Sequence, residues 1–152
     1  MTPAPDARPD GIDRPPRTPR EGHGPNRKTG TAMAAEAATF ALASAAHFAT
    51  GFTDAAIPEL LIATVLGLGS SAVLSRRPHA WGAAVGTTSF ATLGTILGLT
   101  IIATGRQDVP DLAYHATILT ALAATLIALC RQGDAARRST QRSRQRIDNS
   151  AR

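Results

Sequence analysis

The stretch Ile57–Ser75, "IPELLIATVLGLGSSAVLS", decides the fold. It carries one charged side chain, Glu59, and no basic one. As a helix rising 1.5 Å per residue it measures about 28 Å, close to the ~30 Å hydrocarbon core of a bilayer. A soluble helix of that length shows a polar stripe toward water, and none is present here.

Two further stretches share this character, "WGAAVGTTSFATLGTILGLTIIATG" at 81–105 and "LAYHATILTALAATLIALC" at 112–130. Both lack basic residues. A fourth run, which includes "TFALASAAHFATGF" from Thr39 to Phe52, is weaker. Alanine contributes little to insertion, and Glu36 and His47 oppose it. The expectation is an all-α, polytopic membrane four-helix bundle with spans at about 33–52, 57–75, 80–104 and 110–130. The first run also fits a signal peptide, because "ALASAA" resembles a cleavage site ending near Ala45 or Ala46.

Whole-chain averages, a mean hydropathy of −0.03 and a pI near 10.9, describe none of these parts. Residues 1–32 contain seven of the ten prolines, six basic residues and four acidic ones. Such a segment cannot bury enough apolar surface to offset its ordering entropy, so a disordered tail is expected. Residues 131–152 hold seven arginines against Asp134 and Asp148, a net of +5 that equals the charge of the entire chain. They are read as a second disordered, basic tail. No base-reading motif or interleaved aromatics accompany these arginines, which argues against nucleic acid as a partner. Their expected contacts are anionic headgroups of the lipid bilayer.

The arginines also set orientation. Both tails and the "RRPH" loop at 76–79 are basic, whereas the "GFTDAA" and "GRQDVPD" loops carry Asp54, Asp108 and Asp111 with one arginine, Arg106. By the positive-inside rule both termini are expected to be cytoplasmic, with the protein in the cell membrane. Termini on one side require an even number of spans, which supports the weak first one.

Local patterns give further expectations. Pro58 and Pro110 suit the first turn of a helix, where the missing N–H costs nothing, and Asp108 suits the cap of the fourth span. Gly82 with Gly86 and Gly94 with Gly98 form small-xxx-small pairs, which predict that the third span is the central packing helix. Thr88, Thr92 and Thr95 share one face and are expected to bond carbonyls one turn back. Trp81 and Tyr114 lie near opposite boundaries, as interfacial anchors do. "IPEL" at 57–60 and "VPDL" at 109–112, with "TFA" at 39–41 and "SFA" at 89–91, raise the possibility of a duplicated hairpin. Cys130, the single cysteine, builds no disulfide framework.

Ionisable groups at membrane depth are costly and mark candidate sites. Counting along the helices puts His47 and His115 each about 7 Å below the outer ends of their spans, with Glu59 slightly above them. Asp111 precedes His115 by four residues and shares its face, so it suits the role of outer-shell partner to the ring. Two imidazoles and a carboxylate, His47, His115 and Glu59, make a candidate metal site. Glu36 is assigned to the inner end of the first span, as a dipole-compensating or headgroup-level acid. Three functions fit: a structural or interaction protein, acting on a membrane partner or as a homo-oligomer; a metal- or cofactor-binding protein for haem or quinone; and a proton- or ion-coupled carrier. No nucleophile–base pair or phosphate loop points to an enzyme.

The "AHF" closing the first span, "IPELLIA", "SRRP", "FATLGTILGL" and "VPDLAYH" together resemble the small four-span membrane proteins of high-GC Gram-positive bacteria. In general shape they are similar to the DoxX-like group. The resemblance covers about residues 33–131. It implies a four-helix membrane fold with inside termini, and it implies no activity.

Overall fold

Helix formation follows the apolar runs, and a computed structural model of the chain describes residues 25–104 and 109–150. The helices are α1 (Arg27–Ala49), α2 (Thr53–Leu74), α3 (Ala80–Thr104) and α4 (Val109–Ser150), with no strand among the described residues. The disorder expected for residues 1–24 and the cap expected of Asp108 lie outside the described residues.

Three of these helices, α2, α3 and the α4 helix, are long and apolar enough to cross a membrane; α1 is not among them. The exterior agrees with a lipid-facing mantle. Leu42, Leu61, Leu68, Leu93, Leu97 and Ile101 are all more than half exposed, an arrangement that water would penalise.

Each helix turns a seam of small and apolar residues inward at three- and four-residue spacing. The seams are Met33, Ala37, Phe40 and Ser44 on α1, and Ile62, Leu66, Ser70 and Val73 on α2. Ala84, Thr88, Ala91 and Thr95 follow on α3, and Ile118, Leu122, Thr125 and Leu129 on α4. Neighbours in sequence are neighbours in space: α1 packs on α2, α2 on α3, α3 on α4, and α4 returns to α1. The α1–α2 connection is tight because Phe52 N–H bonds His47 O at 2.8 Å while Gly51 takes φ 79°, a left-handed helix end natural to glycine.

Several expectations are corrected. The C-terminal tail is not disordered as far as Ser150: α4 continues through it as one helix of 42 residues. The span supplies the nucleus, and alanine, arginine and glutamine propagate it, with Gly133 as the weakest former and no proline. The N-terminal tail ends earlier than residue 32, because Asn26 caps α1 by accepting from Thr29 N–H at 2.9 Å. Pro58 is not in a first turn; α2 begins at Thr53, which places the proline inside the helix.

The third span is not the central packing helix. Of the three membrane-length helices, α2 has the largest buried share and α3 the smallest. A Cβ at Gly82 or Gly86 would meet open space, so that pair makes no close approach. The close approaches are elsewhere: Gly94 against Ile62, Gly98 against His115, and Gly69 against Thr87 and Met33. Trp81 does more than anchor. Its indole N–H donates to Leu129 O at 3.1 Å, and its ring lies against Gly133. Tyr114 turns inward too, edge-on to Phe40 with ring centroids 6.3 Å apart and a hydroxyl buried without a hydrogen-bond partner.

Candidate functional site

The polar groups of the interior fall into two layers, an outer one at the end of the bundle where α1 joins α2 and an inner one in the half nearer the start of α1. At the outer layer the last turn of α1 carries His47, the second turn of α2 carries Glu59, and α4 supplies Asp111, Tyr114 and His115. His47 Nε2 stands 3.5 Å from Glu59 Oε1, an ion-pair separation and not a hydrogen bond. Glu59 is only 5% exposed, and neither carboxyl oxygen has a hydrogen-bond partner. His47 is half-buried, with Phe52 tilted against its ring at 6.4 Å.

His115 is held from its own helix. Nδ1 lies 2.9 Å from Asp111 O and 3.2 Å from Asp111 Oδ1. A backbone carbonyl only accepts, so the bond to it puts the ring proton on Nδ1. Nε2 is then the acceptor of the neutral ring. It points at the α3 backbone, where a Cβ on residue 98 would come within 3.3 Å; glycine at that position makes room for the imidazole. Tyr114 completes the layer, its ring edge-on to His115 at 5.1 Å.

The sequence-derived residues therefore come together as pairs. The structure brings His47 to Glu59 and Asp111 to His115. Among the described residues, no three His, Cys, Asp or Glu side chains form a group able to hold one metal ion. His47, Glu59 and His115 do not converge as a ligand set in this conformation. Depth along a helix is countable from sequence, but rotation about its axis is not, and rotation assigned each imidazole to a different carboxylate.

The inner layer was missed. Glu36 does not sit at the surface of the bundle: it is 6% exposed, and Thr125 Oγ1 donates to its Oε1 at 2.7 Å. The signal was available, since Met33, Glu36, Phe40 and Ser44 keep the spacing of one helix face. Two further bonds tie α1 to α2, one in this half of the molecule and one beside the connection between the two helices. Ser70 Oγ donates to Gly30 O at 2.8 Å, and Ser44 Oγ donates to Ala56 O at 2.7 Å. Gln132 Nε2 donates to Thr29 Oγ1 at 2.9 Å while its Oε1 accepts from Asn26 N–H at 3.1 Å, clasping the start of α1 to α4.

The α3 hydroxyls divide. Thr92 and Thr95 donate to Thr88 O and Ala91 O, both at 2.8 Å, as their spacing predicts. Thr88 is the exception: its hydroxyl is buried and has no partner. Cys130 is a free, exposed thiol. Comparison of the chain with known protein families, with curated proteins and with solved structures finds no match.

Proposed function

We propose that the chain is a small integral protein of the cell membrane with four spans, cytoplasmic termini and a structural or interaction role. The observation that carries this reading is the pairing of the outer layer. Each imidazole is taken up by its own carboxylate: the His47–Glu59 pair joins α1 to α2, while Asp111 holds the His115 ring in place against Gly98 of α3. Polar groups in an apolar interior commonly act in this way, because a mispacked arrangement leaves them unpaired. α1 enters the count of spans because its buried face packs on α2 and α4, and because basic segments lie at both ends of the chain. The arginine-rich end of α4 supports an association with anionic headgroups or an acidic partner on the cytoplasmic side.

A second reading, a metal- or cofactor-binding site built on His47, Glu59 and His115, draws support from one observation. The Glu59 carboxyl is buried with neither oxygen hydrogen-bonded. A change in rotamer at His47 or Glu59 would be needed to gather the three groups.

One experiment separates the two. Wild type and a His47→Ala, His115→Ala double variant are purified in detergent and compared for metal content, visible spectrum and thermal midpoint. The structural reading expects a colourless, metal-free wild type and a lowered midpoint in the variant. A bound metal or chromophore lost with the histidines, at unchanged midpoint, would instead establish the second reading.

A further inference from the structure

Apart from the outer layer, one acidic side chain among the described residues is enclosed by the helices, Glu36. Its Oε1 accepts from Thr125, but Oε2 is buried with no hydrogen-bond partner. The ion pairs among the described residues are those of His47 and His115, so no basic side chain neutralises it. The Thr88 hydroxyl, fully buried on α3, is a second polar atom without a partner.

The two lie at one level. Gly69 on α2 abuts both Met33 on α1 and Thr87 on α3, which fixes the register of those helices. Glu36 is three residues outward of Met33 and Thr88 one residue outward of Thr87, so their depths agree to within about 3 Å. Both face inward. The buried residues within about one turn of this level are uncharged on every other helix. Leu66, Gly69 and Ser70 come from α2, Thr88 and Ala91 from α3, and Leu122 and Thr125 from α4. α3 contains no titratable side chain at all. On α1 the nearest titratable groups are Lys28 and His47, about 12 and 16 Å away along the axis. Glu59 on α2 is about 10 Å above this level, and Cys130 and Arg131 on α4 are exposed below it.

We propose that Glu36, with the hydroxyls of Thr125 and Thr88, forms an intramembrane binding site for a single positive charge, a proton or a small alkali cation. An acid in an apolar interior without a counter-ion is strongly disfavoured as a bare anion. A proton on Oε2 makes that oxygen a donor and removes the charge. A sodium-sized ion does the same using oxygen donors alone, the ligand type that hard cations select. The site is separate from His47, Glu59 and His115, and it stands on burial within the helix interior, not on the number of spans.

The test is labelling of the purified full chain in detergent by dicyclohexylcarbodiimide, with the adduct located by peptide mass mapping. In the reaction a Glu36 oxygen bonds to the central carbon of the carbodiimide while the carboxyl proton passes to one nitrogen. The O-acylisourea then shifts its acyl group to nitrogen as a stable N-acylurea; nothing is oxidised and no group leaves. The expected result is an adduct on Glu36 that is absent from Glu36→Gln. Loss of label on raising pH, without an effect of sodium, identifies the proton. Loss of label with sodium but not with choline at equal ionic strength identifies an alkali cation. Thr88→Val is expected to shift the midpoint of that protection, which a merely structural hydroxyl would leave in place. No adduct at Glu36, or an adduct indifferent to both pH and sodium, would overturn the proposal.

Discussion

At Gly69 the backbone of α2 passes so close to its neighbours that a single methyl group has no place. A Cβ there would lie 3.0 Å from both Met33 Cε and Thr87 Cβ, and would overlap Thr87 Oγ1. Thr87 cannot move freely, since its hydroxyl is bonded to Ala83 O at 2.9 Å. Gly69→Ala should therefore destabilise by about 1–3 kcal/mol, the usual cost of overpacking. Gly82 and Gly86 meet nothing within 4 Å, so Gly82→Ala should be neutral or stabilising by up to about 1 kcal/mol through helix propensity. Thermal midpoints of the two variants in one detergent check this contrast; equal midpoints would refute it. The motif that sequence pattern singled out on α3 is thus half right. Spacing identifies which glycines share a face, but only the partner helix determines which face is used. The same limit applied to His47, whose depth was legible and whose pairing with Glu59 was not; Asp111, four residues before His115 on one helix face, was legible as that ring's partner.

At the scale of elements, α4 is the least conventional. Its 42 residues make a rod of about 63 Å, twice what a bilayer requires. The part up to Cys130 is packed through His115, Ile118, Leu122, Thr125 and Leu129, whereas from Gln141 to Ser150 every residue is exposed. That outer part is helical by propagation and propensity alone. Breaking it should leave the packed part intact. Arg142→Pro is expected to lower the helical circular dichroism signal while the thermal midpoint of the packed region stays within error. A parallel fall in midpoint would mean that the extension contributes to the core. Composition had marked this segment as a charged tail, and charge is what sequence shows most readily; that arginine and alanine also propagate helix is a quieter signal. α1 reverses the case. Its alanines and Glu36 make it the weakest candidate span, yet its inward face, with Phe40, Met33 and Ser44 almost wholly buried, is among the best packed of the described residues.

For the whole molecule, the three strong spans were legible because length and the lack of basic residues are direct consequences of the hydrocarbon core. The inner layer was not, because an acid near a helix end has several homes and only packing against Thr125 selects one. The proposed arrangement of four spans makes a plain prediction about sides. In a Cys130→Ser background, single cysteines are introduced as Thr18→Cys, Gly51→Cys, His79→Cys and Ser150→Cys, and intact cells are treated with a membrane-impermeant maleimide. The account predicts that Gly51→Cys is labelled from outside, while the other three react only after permeabilisation. Labelling of Thr18→Cys and Ser150→Cys on opposite faces, or a mature chain that has lost residue 18, would contradict it.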